Sequence, residues 1–279
     1  MSRAECSITA LCVGVAGPVV DGRCQATNIP WVIDAKVLKE QLHLSNVWVI
    51  NDLLANAWGI GAVDEEDILC VQRGRKGKGN QALISAGTGL GEAGLYWDGK
   101  RHHPFASEGG HADFAPLDEE QLSFWHFLKE EFDHISYERV LCGEGLYRLY
   151  RFLVDTGREK PDADVETPPP SLQPQRVITQ KAAAQASQSC VRAVELFISI
   201  YAAEAGNLAL KLLSVGGVYI GGGIAPHLSS FFAKSSFTTA FGAKGRFSTL
   251  LENIPLYLIL NERTALLGAA RYAQELETL

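Results

Sequence analysis

The chain contains no C-x-x-C pair. Its six cysteines, Cys6, Cys12, Cys24, Cys70, Cys142 and Cys190, are scattered over both halves of 279 residues. That leaves no paired-cysteine redox motif, and reduced thiols in a cytosolic protein are the economical reading. No uninterrupted apolar run reaches the length needed to span a membrane. Residues 8–20 imitate the core of a signal peptide, but Gly17-Pro18 interrupts them and Val19-Val20-Asp21-Gly22 continues as a hairpin, so a buried strand is expected there. An excess of basic charge is also absent. Lys and Arg number 25 against 32 Asp and Glu, for a net charge of −7 and a pI near 5.5, which argues against bulk nucleic-acid binding. The one local basic run, residues 73–78, reads as a solvated loop. No short-period tandem repeat is present, and the chain is no solenoid.

What is present is a globular composition, 47% hydrophobic and 20% charged, in a length that suits one large or two ordinary domains. Short apolar runs rich in β-branched residues predict strands at 8–15, 47–50, 81–86, 215–220 and 254–259. One helix is expected running through Leu38 and Leu42, with Asp34 as its cap, and others at 53–60, 119–133 and 137–155, the last capped by Ser136, and at 264–276. One or two further helices should fill 179–213. Residues 156–175 hold five prolines and predict a surface loop or insertion with no element of its own. Strands and helices alternate, and polar residues sit where strands end. That pattern predicts an α/β fold with its site at the carboxyl ends of strands.

Four segments carry candidate chemistry. Gly87-Thr88-Gly89-Leu90-Gly91 follows a strand. Its glycines give either a tight turn or a nest of N–H groups for phosphate, with the Thr88 hydroxyl as an extra donor. Asn51-Asp52 ends another strand, where Asp52 is either a general base facing a cleft or the cap of the next helix. Glu108-Gly109-Gly110-His111 joins an acceptor to an imidazole through two glycines, which suits vicinal sugar hydroxyls or a plain polar loop. Zinc would need three or four ligands and only His102, His103 and Asp113 lie near, so no metal site is expected. Gly221-Gly222-Gly223 ends a strand and gives either a loop turn or bare backbone on which an adenine or ribose packs. Glu138, near a helix start, has no functional signal of its own.

In this order, these segments resemble the bacterial-type glucokinase family of the sugar-kinase, actin and heat-shock ATPase superfamily. The likeness runs from Val13-Gly14-Val15-Ala16-Gly17-Pro18-Val19 to Leu266-Leu267-Gly268-Ala269. Its anchors are Ile50-Asn51-Asp52-Leu53, Gly87 to Gly91, Glu108 to Pro116, Glu138 to Gly143, Gly206 to Leu210 and Gly221 to Ile224. The resemblance implies an α/β, two-lobed ribonuclease-H-like (actin-like ATPase) fold. Residues 1–62 and 262–279 would form the small lobe and 63–261 the large lobe, with a Pro-rich insertion at about 161–175. It further implies a cytoplasmic, homodimeric enzyme that phosphorylates glucose at the 6-hydroxyl with ATP and Mg²⁺ for glycolysis and has no nucleic-acid or membrane partner. Asp52 would be the base. Asn51, Glu108, His111 and Glu138 would bind the other hydroxyls, with Asn28 in a segment approaching the sugar. Gly87, Thr88 and Gly89 would form the second phosphate loop, and Gly221, Gly222 and Gly223 would line the adenosine pocket. A related zinc-bearing sugar-kinase and repressor family has a cysteine cluster after the sugar-binding histidine. Cys142 stands alone in that region, which implies the zinc-free branch.

The family's first phosphate loop, Asp-x-Gly-Gly-Thr, has no counterpart. Asp21-Gly22 and Asp98-Gly99 read as hairpin turns, and the chain begins near the family's third strand. The small lobe is therefore expected to be incomplete, with an open sheet edge and exposed apolar surface. A sugar-binding protein without turnover is the alternative function.

Overall fold

The computed structural model describes residues 7–25, 30–75 and 77–277. The expected sugar-approaching residue Asn28 lies outside the described residues. The chain runs β1 (Ala10–Val15), β2 (Arg23–Gln25), β3 (Val32–Asp34), α1 (Ala35–Leu42), β4 (Asn46–Asn51) and α2 (Asp52–Gly59). It continues through β5 (Ile68–Gln72), β6 (Gln81–Ala86), β7 (Leu90–Trp97), β8 (His102–Ser107), α3 (Glu119–Lys129), α4 (Tyr137–Val140) and α5 (Gly143–Asp155). After α6 (Ala163–Glu166), α7 (Pro174–Ala183) and α8 (Gln188–Leu212) come β9 (Gly217–Gly221), α9 (Ser229–Phe232), α10 (Ser235–Gly242), α11 (Ser248–Glu252), β10 (Leu256–Ile259) and α12 (Thr264–Glu277).

These elements form two compact units. The first extends to Asp67 and adds Pro104–Ala106 and the chain from Asn261 onward. In it β1 and β4 make a two-stranded parallel sheet, and β2 pairs antiparallel with β3. Asp21 and Gly22 both have positive φ (51° and 75°) and turn the chain between bridged Val20 and Arg23, the hairpin that an Asp-Gly pair predicts. Asp34 caps α1 by accepting from the Lys36 N–H at 2.8 Å. Two small apolar clusters, Val15-Cys24-Val49 and Ile50-Ala55-Ala269, hold the unit. Ile8, Val20, Trp31, Val37, Leu42 and Leu266 remain exposed on it.

The second unit, Ile68–His103 and Ser107–Leu260, is built on a six-stranded sheet of order β5-β10-β9-β6-β7-β8. β6 lies inside that sheet, parallel to β9 and antiparallel to β7. Its β-branched and small residues are buried on both faces, as an interior strand requires. The main core joins this sheet to α5, α7, α8 and the aromatic residues Phe231, Phe232, Phe237 and Phe241.

Three expectations are corrected here. The helix expected at 137–155 is two. The chain leaves helical geometry at Leu141 and restarts as α5, with the Cys142 sulfur accepting from the Gly145 N–H at 3.3 Å. The Pro-rich segment is not a structureless loop, for it contains α6, seats Val165 in the core, and gives Pro174 to the first turn of α7, where a missing N–H costs nothing. Contrary to the run-length argument, α8 is long and apolar enough to cross a membrane by length and composition. However, 78% of its most apolar stretch is buried within the fold, as befits a core helix.

In the first unit α12 lies against α2 at close range. A Cβ added at Gly268 would overlap the Ala55 carbonyl and the Gly59 nitrogen, and Tyr272 meets Trp58 edge-on at 5.4 Å between ring centres. Gly268→Ala is expected to destabilise this unit by about 1–3 kcal/mol through overpacking, read as a lower urea midpoint with an unchanged slope.

Candidate functional site

β6 and β9 end side by side, and each delivers a glycine turn. The register pairs Ser85 with Gly221, so Gly87-Thr88-Gly89 and Gly222-Gly223 leave the sheet at the same edge. The first turn is closed by the Gly87 N–H donating to the Gly89 carbonyl at 2.8 Å. Gly222 has φ of 89°, and a Cβ there would strike the Ala86 carbonyl. Only glycine meets both demands. The N-terminus of α5 abuts the first turn, with the Gly143 N–H donating to the Gly87 carbonyl at 2.9 Å.

Behind these turns lies a residue that the sequence did not mark. The Tyr201 hydroxyl, fully buried on α8, accepts from the Ala86 N–H at 3.1 Å and donates to the Ile84 carbonyl at 3.1 Å, with the Gly221 carbonyl at 3.5 Å. One phenol thus joins the ends of β6 and β9. Burial pushes its proton far above the ordinary tyrosine range, so it stays a donor. In an apolar helix, a tyrosine carries no pattern that separates this task from core filling.

Glu108, His111 and Glu138 converge. The His111 Nε2 lies 3.9 Å from Glu108 Oε2 and 4.0 Å from Glu138 Oε1. His111 and Glu108 are exposed, while Glu138 is partly covered. Their proximity rests on a short pairing of 112–114 with 135–137: Tyr137 N–H donates to the Ala112 carbonyl and Phe114 N–H to the Ile135 carbonyl, both at 2.9 Å. Ser136 caps α4, accepting from the Arg139 N–H at 3.4 Å, which frees Glu138 from capping. Instead its Oε2 accepts from the Leu90 N–H at 3.0 Å. A Cβ at Gly89 would overlap that same oxygen. Glu138 of the polar trio is therefore bonded to the exit of the first glycine turn.

Asn51 and Asp52 belong to the first unit. Asn51, not Asp52, is the N-cap of α2. Its Oδ1 accepts from the Leu53 and Leu54 N–H groups at 2.9 and 3.2 Å, and its Nδ2 donates to the Gly17 carbonyl at 3.2 Å. Asp52 opens the helix, and its Oδ1 accepts from the Leu53 N–H at 2.9 Å. Negative charge is favoured at that helix end. Burial and the charge of Asp52 together push the nearby Cys24 thiol up. Among the described residues no three His, Cys, Asp or Glu side chains are placed to hold a metal ion.

A family model described as Glucokinase matches residues 2–276. The glucokinase of Nostoc sp. strain PCC 7120 is 38% identical over 95% of this chain and 82% of that protein. The crystal structure of a glucokinase from an Antarctic psychrotroph superposes with a TM-score of 0.80 at 27% identity, over 95% of this chain and 80% of that one. A glucokinase of the ROK family from Streptomyces griseus, solved with glucose and AMPPNP, superposes with a TM-score of 0.66 at 20% identity, over 97% and 83% of the two chains. The chain shares the α/β, actin-like ATPase fold of these sugar kinases.

Tyr201→Phe removes the hydroxyl and strands the Ala86 N–H in the core. Its expected cost is about 1–3 kcal/mol of stability, measured by urea unfolding, together with faster hydrogen exchange of the Ala86 amide.

Proposed function

The chain belongs to the glucokinase family of phosphotransferases, and we propose that it transfers the γ-phosphoryl group of ATP to the 6-hydroxyl of glucose, giving glucose 6-phosphate and ADP. The observation that carries the reading is the convergence of Glu108, His111 and Glu138, with Glu138 bonded to the glycine turn through Leu90. Two carboxylates and an imidazole accept and donate to neighbouring hydroxyls. A sugar lacking one of those hydroxyls would strand a polar group, which is how such a site selects.

In this reading Asp52 takes the proton of the 6-hydroxyl as that oxygen bonds to the γ-phosphorus and the bond to the β-phosphate oxygen breaks. Asn51, held by its cap bonds, binds a further hydroxyl, and Asn28 approaches the sugar. Gly87 closes the phosphate turn with its own N–H, Thr88 and Gly89 present N–H groups and a hydroxyl to the phosphates, and the α5 N-terminus adds partial positive charge beside them. Gly221, Gly222 and Gly223 give the adenosine bare backbone. ATP enters as its Mg²⁺ complex, an ion that keeps waters and is held largely by substrate phosphates instead of an all-protein cage. Positioning and charge stabilisation supply most of the catalysis in such transfers. The lobes are residues 1–62 with 262–279, and 63–261; the working form is a cytoplasmic homodimer.

Asp52→Asn tests the assignment. Loss of a general base should lower kcat about 10²–10⁴-fold, measured by glucose-dependent ADP release, while glucose still raises the melting temperature. Unchanged turnover would remove Asp52 as the base. Stabilisation of the parent chain by glucose without any ATP consumption would make it a sugar binder and not a kinase.

A further inference from the structure

Directly beneath the Glu108–His111 turn sits a second acidic group that no step above uses. Glu92, on β7, is 1% exposed, and its Oε1 has no hydrogen-bond donor. Its Oε2 packs on the turn so closely that a Cβ at Gly109 would overlap it. The Ser107 hydroxyl adds a second tie, donating to the Glu92 carbonyl at 3.1 Å and accepting from the Gly109 N–H at 3.2 Å. Glu92 thus supports the sugar-facing turn through both side chain and backbone.

The acid whose charge bears on it is Glu204 on α8, itself 0% exposed. Both Glu204 oxygens have donors: Lys211 Nζ at 3.1 Å to Oε1 and Asn207 Nδ2 at 2.8 Å to Oε2. Asn207 Nδ2 also donates to the Tyr137 hydroxyl at 3.1 Å, and its Oδ1 accepts from Lys244 Nζ at 2.6 Å. Burial, with the Glu204 charge next, holds the Tyr137 hydroxyl protonated, and Tyr137 directly precedes Glu138. The cluster therefore touches both parts of the polar trio, the turn from below through Gly109 and α4 through Tyr137.

Two carboxylates buried side by side cannot both stay charged. With cationic and amide donors committed to Glu204, the missing donor must come from Glu92 itself: protonated, it has an O–H to give, and the orphaned oxygen is explained. We propose that Glu92 and Glu204 are a positioning pair that shares one proton, and that this proton holds the Glu108–His111 turn and Glu138 in their sugar-binding arrangement until alkaline pH removes it. The proposal rests on the glucose-binding reading of that trio. Burial, with the Glu204 charge second, raises Glu92 to about 8, against a partial lowering by Lys211. The other titratable groups facing the pair are Tyr201 and Tyr137, both held protonated by burial, and Lys244, which faces Glu204 and is lowered chiefly by burial.

The test compares the parent chain with Glu92→Gln and Glu92→Leu, measuring glucose KM and kcat across the Glu92 titration. Above it, the parent's KM for glucose should rise by about tenfold per pH unit with little change in kcat. Glu92→Gln, whose amide supplies a donor that cannot ionise, should keep the low KM with no alkaline rise. Glu92→Leu, which supplies none, should show a raised KM at every pH. A parent KM flat across the window, or an alkaline rise retained by Glu92→Gln, overturns the proposal.

Stability gives a readout that needs no sugar. Between the ordinary 4.5 and about 8 the folded chain keeps a proton that the unfolded chain has released, so stability is full below that window and falls as pH rises through it. Glu92→Gln should flatten that fall. If the chain neither turns over nor binds glucose, the glucose reading fails, and an equal pH dependence of unfolding in parent and Glu92→Gln overturns the pair as well.

Discussion

The parallel pairing of β6 with β9 is the constraint on which the candidate site depends. Its register sets Ser85 beside Gly221, and each strand then ends in glycines at the same edge of the sheet. Had the pairing slipped by one residue, every side chain on β6 would change faces and the two turns would part. The pairing is fixed from behind by Tyr201, whose hydroxyl bonds to Ala86 and Ile84 and approaches Gly221. α8 is the long buried helix of the core, so the burial that stabilises the unit also holds the turns in place. Stability and site geometry are supplied by one element.

The polar trio is organised differently. It owes its arrangement to a few local backbone bonds between 112–114 and 135–137, and to the break that separates α4 from α5. With Ser136 capping α4, Glu138 is free to reach the Leu90 N–H. A continuous helix through 137–155 would not have offered the α5 N-terminus to Gly87. Irregular backbone here is the means by which a core of regular elements brings side chains distant in sequence to one place.

Much of this was legible in the chain. The bounds of β6 follow from an apolar run that stops at glycine. Asp34 and Ser136 announced their helices as good N-caps do, and the Asp-Gly turn at 21–22 needed two positive φ values. The residues missed share a physical reason. Tyr201 and Glu92 act across sequence gaps that no local pattern encodes: an aromatic residue in a helix and an acid in a strand look the same whether or not a buried partner awaits them. Cys142 carries no cap signal in sequence, because sulfur is a weak acceptor. The Pro-rich stretch misled in the other direction. Its composition signals a loop, yet Val165 is enclosed by the core and Lys181 pairs with Asp162 at 2.6 Å, tertiary contacts that override local preference.

The Leu90–Glu138 bond also bears on how such a protein changes over generations. On the proposed reading, Glu138 answers to a sugar and to the turn beneath a nucleotide at once, and only a glycine at position 89 leaves that carboxylate its place. A lineage that replaced Glu138 to accept a different hexose would disturb donor recognition in the same step. Acceptor preference and donor preference therefore cannot drift independently at this position. A change of hexose that spares the donor is open to sugar-facing residues such as Glu108 or His111, whose side chains make no bond to the glycine turn.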